Sequence, residues 1–169
     1  AFEWSTKAAA KGDAAAEGLL GLMYHQGEGV PQDYSKALYW LTKSAGQGQP
    51  YAEYQLGSIY EHGDGVPQDY SKAVPWFTKS ADGGDPDGEY ELAMLYYDGH
   101  GVPKDMSYAH TLFERASKQN FPDADKAKIF AEMTELQSGK LQSGENGNPE
   151  KQAAHNYLSP KINGHPPSK

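Results

Sequence analysis

The segment GVPQDYSKA, residues 29–37, recurs letter for letter at residues 65–73, a step of 36 residues. A looser copy, GVPKDMSYA, occupies residues 101–109 at the same step. Self-similarity at a fixed period of about 20–50 residues is typical of stacked units that cannot bury their apolar faces alone. The period therefore predicts a repeat architecture, and repeats of this kind usually build a binding surface.

Each repeat has the apolar spacing of two helices. Ala16, Leu20, Met23 and Tyr24 share one face of a predicted helix A, and the same positions recur downstream. A glycine in the left-handed conformation is expected to end each helix A, at Gly27, Gly63 and Gly99. An aspartate is expected to cap each following helix B, at Asp33, Asp69 and Asp105. We therefore predict an all-α stack of antiparallel helix pairs.

Pro75 interrupts this pattern, because it falls about six residues into one predicted helix B. Proline in a helix interior removes a backbone hydrogen bond and costs up to ~3 kcal/mol. We therefore expect either a kink at Pro75 or a helix that starts later than Asp69.

Two regions are predicted along the chain. Residues 1–136 hold a half repeat, three full repeats and a degenerate C-terminal unit, whose polar character is typical of a solenoid cap. Residues 137–169 are rich in Gly, Asn, Ser, Gln and Pro, which predicts a polar tail. Within that tail we expect a short helix over residues 149–158, which could dock on the last repeat.

The first full repeat contains the pattern Leu20-Gly21-x-Met23-Tyr24-x-x-Gly27-x-Gly29-Val30, followed by Asp33-x-x-Lys36-Ala37-x-x-Trp40. This pattern resembles the SEL1-like repeat, a relative of the tetratricopeptide repeat that occurs in many bacterial proteins. The second copy keeps the pattern, whereas the third has Ala93 for the glycine and Leu112 for the tryptophan. The tetratricopeptide repeat itself has a shorter step of about 34 residues.

The resemblance implies a right-handed α-solenoid that acts as an adaptor in protein–protein interactions. Bacterial members include regulators, envelope assembly factors and immunity proteins that neutralise secreted toxic effectors. A cysteine-rich subgroup has been linked to penicillin binding or β-lactam hydrolysis. This chain has no cysteine, so it departs from the subgroup to which that activity belongs.

The charge of the chain argues against nucleic acid as a partner. The tail from Gln137 holds four lysines and two glutamates, which leaves 11 cationic and 21 anionic side chains in the predicted solenoid. The electrostatic field of this negative charge repels the phosphate backbones of nucleic acids. No apolar run approaches the ~18 residues that a membrane helix needs. The chain begins at Ala1 without methionine, which favours a cleaved leader and a periplasmic or secreted location over a cytoplasmic one.

The variable positions of helix A, opposite its core face, carry the candidate site. At 100° per residue they form a strip of aromatic and thioether side chains that contains Tyr54, Tyr90, Met94 and Tyr97. Tyr51, Glu61 and Asp87 form its polar rim. Exposed tyrosines in a row are typical of interface anchors, because a large ring can be buried while its hydroxyl keeps a hydrogen bond. The alternative is that these rings only pack between neighbouring A helices.

No catalytic site, metal site or cofactor is predicted. The histidines fall in unrelated repeat positions, and no nucleophile has both a base and an orienting group beside it. The acidic stretch at residues 82–89 lacks the spacing of a calcium loop. Trp40 and Trp76 occupy the inner face of helix B, where core packing is the simpler explanation.

The sequence thus predicts a non-enzymatic adaptor that binds a protein partner, with basic patches, in a concave groove. An immunity or inhibitor role against a secreted effector and an envelope or regulatory scaffold are both compatible with it. One alternative is a β-lactam-binding or β-lactam-hydrolysing enzyme. Another is a solenoid whose groove is filled by its own tail. The partner's identity and the oligomeric state do not follow from the sequence.

Overall fold

In a computed structural model, residues 2–120 and 122–137 are described. They form eight helices and no strands: α1 (Phe2–Ala9), α2 (Ala14–Gln26), α3 (Tyr34–Ala45), α4 (Pro50–His62), α5 (Tyr70–Asp82), α6 (Pro86–Asp98), α7 (Met106–Ser117) and α8 (Ala124–Gln137). The helix predicted over residues 149–158, and the tail beyond residue 137, lie outside the described residues. The predicted all-α solenoid is confirmed.

The helices begin and end where the sequence predicts. Asp13 and Asp85 accept backbone N–H bonds at the starts of α2 and α6. Asp33, Asp69 and Asp105 do the same for the B helices α3, α5 and α7. Helix A ends at a left-handed glycine in all three full repeats: Gly27 (φ 73°), Gly63 (φ 79°) and Gly99 (φ 79°). These caps satisfy backbone groups that a helix end leaves unpaired.

Pro75 lies inside a continuous helix. α5 begins at Tyr70, directly after its cap Asp69, so the expectation of a later start is wrong. Pro75 and Ser71 are both exposed. The carbonyl that proline leaves without a helical partner thus belongs to an exposed residue, where water can bond it.

Consecutive helices pack as antiparallel pairs, and the pairs stack on one another. The largest fully buried side chains include Leu20, Leu56 and Leu92 on the A helices and Phe77 and Phe113 on the B helices. The A helices α2, α4 and α6 also contact each other directly, whereas the B helices make no comparable contact among the described residues. The row of A helices therefore lies on the inner, concave side of the stack.

A buried glutamate recurs at the same position of each A helix, which the sequence analysis did not anticipate. Glu17 is bound by Lys43 at 3.0 Å and by Gln47 at 2.7 Å. Glu89 is bound by Arg115 at 2.6 Å and by Gln119 at 2.9 Å. Each set ties an A helix to the B helix of its own repeat and satisfies a carboxylate that would otherwise be costly to bury.

The middle repeat lacks this support. Glu53 is also buried, but Gly83 stands where the other repeats have their glutamine, and Lys79 lies over the Trp76 ring at 4.6 Å. Burial raises the pKa of Glu53, and the attraction of Lys79 offsets only part of that rise. Glu53 is therefore the least compensated of the three buried carboxyl groups.

Candidate functional site

The predicted strip lies on the inner row of helices, and its members are half-buried. Tyr54 on α4 and Tyr90, Met94 and Tyr97 on α6 are partly covered. Tyr51, at the start of α4, is 45% exposed. Phenylalanines account for part of this burial, and they lie on the B helices α5 and α7 and on the next helix of the inner row, α8.

Phe77 of α5 backs the first part of the strip. The ring centroids of Tyr54 and Phe77 are 6.0 Å apart, and those of Tyr54 and Tyr51 are 6.1 Å apart. Tyr54 thus contacts the buried Phe77 of its own repeat and also the more exposed ring of Tyr51. Among the described residues, neither ring packs against an aromatic side chain of a neighbouring A helix.

Phe113 of α7 and Phe130 of α8 back the second part. Tyr90 lies 5.7 Å from Phe113 and 6.3 Å from Phe130, and Tyr97 lies 6.4 Å and 5.6 Å from the same two rings. The two phenylalanines stack at 5.0 Å, and Met94 packs against the same cluster. A large rigid base therefore supports these side chains. Their role in binding stays a prediction.

The hydroxyls of Tyr54 and Tyr90 keep their protons at physiological pH. Burial raises the pKa of Tyr54, and it raises that of Tyr90 to about 12, helped in both cases by the nearby Glu91 carboxylate. Each hydroxyl can therefore donate a hydrogen bond to a bound group.

Acidic side chains line the same face. Burial raises the pKa values of Glu61 and Asp87, the two acidic residues predicted for the rim. Glu91, which the sequence analysis missed, has its pKa raised to about 7, first by burial and then by the nearby Glu61 carboxylate. Asp123 and Asp87 add to that rise, and His62 opposes it.

A signal for Glu91 was present in the sequence. The equivalent positions of the other repeats hold Leu19, Gln55 and Ala127, so Glu91 brings a charge into an otherwise uncharged position next to Tyr90. Within the described residues, no ion pair or hydrogen bond of the Glu91 carboxyl is found. A half-buried acid without a partner remains open to a cation.

The groove deepens at its other end. A cavity of about 270 Å³ lies between α2 and α4, and it is lined by Ala15, Gly18, Leu19, Leu22, Ser44, Gln49, Tyr51 and Ala52. Gly18 occupies the repeat position that holds Tyr54 and Tyr90 in the next two units. The first repeat therefore has a cavity at the position where the next two repeats have a tyrosine side chain.

One serine–histidine contact lies near the acidic side chains. Ser58 Oγ is 3.3 Å from His62 Nδ1, but the same nitrogen is 2.9 Å from the Ser58 carbonyl oxygen. That carbonyl holds Nδ1 as a proton donor, so Nδ1 cannot take a proton from the Ser58 hydroxyl. The contact is a helix-surface bond and not an activated nucleophile.

The described part of the chain offers neither a metal site nor a membrane-spanning helix. Among residues 2–120 and 122–137, no group of three or more His, Cys, Asp or Glu side chains could hold a metal ion. None of the described helices has the length and apolar character needed to cross a membrane.

Comparison with known families gives a direct match. The profile of the Sel1 repeat matches four consecutive segments, residues 1–13, 14–49, 50–85 and 86–121. The last three begin at the first residues of α2, α4 and α6. Each of these three units is therefore one A helix with its B helix, whereas residues 1–13 contain α1 alone. No curated protein sequence gives a significant match.

Several solved structures are similar. A Sel1 repeat protein from Oxalobacter formigenes is 34% identical, with a TM-score of 0.65, and the match covers 72% of this chain and 92% of that one. The Helicobacter pylori cysteine-rich protein B is 27% identical, with a TM-score of 0.59 and the same two coverages. A protective antigen of uropathogenic Escherichia coli, c5321, is 27% identical with a TM-score of 0.49, over 96% of this chain and 41% of that protein.

Proposed function

Because this chain belongs to the Sel1 repeat family, whose fold commonly mediates protein–protein interaction, we propose that it is a non-enzymatic adaptor. Its partner is a protein that lies in the concave groove formed by the A helices. The binding residues are those of the tyrosine strip, with the acidic rim beside them: Tyr51, Tyr54, Glu61, Asp87, Tyr90, Met94 and Tyr97.

One observation carries this proposal, namely the backing of the strip by phenylalanines. Tyr54 packs against Phe77, and Tyr90 and Tyr97 pack against the Phe113–Phe130 stack. Rings held in this way lose little side-chain entropy when a partner binds against them. Tyrosines of this kind are the usual hot spots of protein interfaces.

The charge of the groove indicates a partner with basic patches. Glu61, Asp87 and Glu91 lie on one face, where burial raises the pKa of each. A partner that brings cations to this face relieves their mutual repulsion, and long-range attraction speeds its association.

The biological setting has two versions. An inhibitory partner of a secreted effector, and a scaffold in envelope assembly or regulation, would both use the same groove. The enzymatic alternative is the turnover of a β-lactam. We expect no turnover of a chromogenic β-lactam by the purified chain, and measurable hydrolysis would contradict the non-enzymatic proposal.

The test is affinity capture from an extract of the source organism with the intact chain and with a Tyr54→Ala/Tyr90→Ala/Tyr97→Ala variant. Circular dichroism establishes that both are folded. Tyr39→Ala is the matched control, because Tyr39 is 57% exposed on the B helix α3. A protein retained by the intact chain and the control but lost by the triple variant supports the proposal. Equal retention by all three would place binding elsewhere.

The self-filled groove makes a different prediction. If the tail occupies the groove, deletion of residues 138–169 exposes the strip and increases self-association, which sedimentation velocity measures. Under the adaptor proposal the sedimentation coefficient changes only by the lost mass.

A further inference from the structure

The cavity at the first repeat has the size and lining of a subsite for a single apolar side chain. Its volume of about 270 Å³ lies just below the ~300 Å³ at which small-molecule pockets begin. Leu19, which is 39% exposed, and Tyr51 form an apolar rim. An apolar side chain that enters the cavity removes this surface from water.

The Glu91 carboxyl is suited to a cation. The groups that face it are Glu61 and His62 on α4, Asp87 on its own helix and Asp123 before α8. Three of these four are acidic, and no described lysine or arginine is paired with Glu91.

The spacing of the A helices gives the distance between the cavity and Glu91. The cavity lies between α2 and α4, and Glu91 faces α4 from α6, so one step between adjacent A helices separates them. Packed helices are about 8–10 Å apart. An extended chain rises about 3.3 Å per residue, so it covers that step in about three residues.

We propose that the groove selects an extended partner segment that carries a large apolar residue and, about three residues away, an arginine or lysine. The apolar side chain enters the cavity beside Gly18 and Tyr51, and the cation pairs with Glu91. This inference rests on the proposed function and narrows it, because it states which chemistry of partner the groove accepts.

The experiment is selection of displayed random twelve-residue peptides on the intact chain. We expect the enriched peptides to share Leu, Met or Phe at one position and Arg or Lys three or four positions away. A synthetic peptide of the enriched sequence should bind Glu91→Gln and Ala15→Phe about tenfold more weakly, since the first removes the charge and the second places a ring at the cavity. Tyr39→Ala should bind it unchanged.

A double-mutant cycle tests whether the peptide's cation pairs with Glu91 itself. Replacement of the peptide's cation by methionine should weaken binding to the intact chain but hardly change binding to Glu91→Gln. Equal weakening in both proteins would overturn the pairing.

Other outcomes separate the two proposals. Suppose that the enriched peptides lack the apolar–cationic pair, bind Tyr90→Ala more weakly, and bind Ala15→Phe and Glu91→Gln as tightly as the intact chain. That result would overturn this inference and leave the proposed groove function intact. Peptides indifferent to Tyr90→Ala, or no enrichment on any variant, overturn both.

The chain's own tail has the same spacing in Leu158 and Lys161. The selection is therefore repeated on a Leu158→Ser/Lys161→Ser variant of the full chain. Enrichment of the motif on that variant alone would overturn a foreign partner as the occupant and assign the subsites to the tail.

Discussion

His25 Nε2 lies 2.8 Å from Asp64 Oδ2, so the last turn of one helix A is bonded to the loop of the next repeat. The same two places 36 residues on hold Glu61 and His100, in which acid and base are exchanged. His100 is close enough to Glu61 to oppose the rise in its pKa that burial causes. A tyrosine ring lies against the histidine at each junction, Tyr34 at the first and Tyr70 at the second. Successive junctions therefore bring an acid and a histidine together with their two positions exchanged.

This exchange predicts that the first junction tolerates the arrangement of the second. His25→Glu alone places two carboxylates together and should lower the free energy of unfolding by about 1 kcal/mol, and Asp64→His alone should lower it less. The double variant His25→Glu/Asp64→His should recover most of the loss. Urea unfolding at pH 6 of all four proteins measures the coupling energy. Additive losses in the double variant would show that the two side chains do not interact.

Replacement of a buried glutamate by glutamine should change the free energy of unfolding differently at Glu89 and at Glu53. Glu89→Gln removes a charged bond to Arg115 and should lower the free energy of unfolding by about 2 kcal/mol. Glu53→Gln should be neutral or stabilising at pH 7, because the pKa of Glu53 is raised and its carboxylate is poorly compensated. Urea unfolding of the two variants at pH 7 checks this. A larger loss for Glu53→Gln than for Glu89→Gln would contradict the assignment.

The glycines of the loops predict a second matched comparison. Gly84 (φ 83°) has no atom within 4 Å of an added Cβ, whereas an added Cβ at Gly101 (φ 70°) would lie 2.6 Å from the carbonyl carbon of Tyr70. Gly84→Ala should cost about 1 kcal/mol from backbone strain alone. Gly101→Ala should cost clearly more, because it also pushes two repeats apart. Thermal unfolding of both variants measures the difference, and equal losses would refute the contact.

Glu91 predicts a stability that depends on pH. Its pKa of about 7 in the folded chain lies above the ordinary value of 4.5. The folded state therefore holds this proton more tightly, and its contribution to stability is fully present below about pH 4.5 and is lost as pH rises through 7. Glu91→Gln should remove that loss, and it should stabilise the chain by about 3 kcal/mol at pH 8 relative to wild type.

The control for this prediction is the same comparison at pH 4. There the Glu91 carboxyl is mostly protonated in both the folded and the unfolded chain and resembles glutamine, so the two proteins should unfold at nearly the same urea concentration. An equal gain at both pH values would mean that packing and not ionisation is responsible.

Local sequence was sufficient for the helices. Asp33, Asp69 and Asp105 cap helices, and Gly27, Gly63 and Gly99 end them, because caps depend on residues within one turn. The repeat period predicted that these helices stack, since no single pair could bury its apolar face. The strip of Tyr54, Tyr90, Met94 and Tyr97 as a binding surface stays a prediction.

The residues that sequence analysis missed depend on contacts between repeats or between helices. Glu91 acquires its raised pKa from burial and from Glu61, which is 30 positions away along the chain. The cavity beside Gly18 exists because Tyr51 of the next repeat forms its wall. Burial and electrostatic coupling act through space, between side chains that the repeat stacks together, and periodicity alone contains neither quantity. The chain's own pattern thus accounts for its helices and their stacking, whereas the shape and charge of its groove arise from the assembled solenoid.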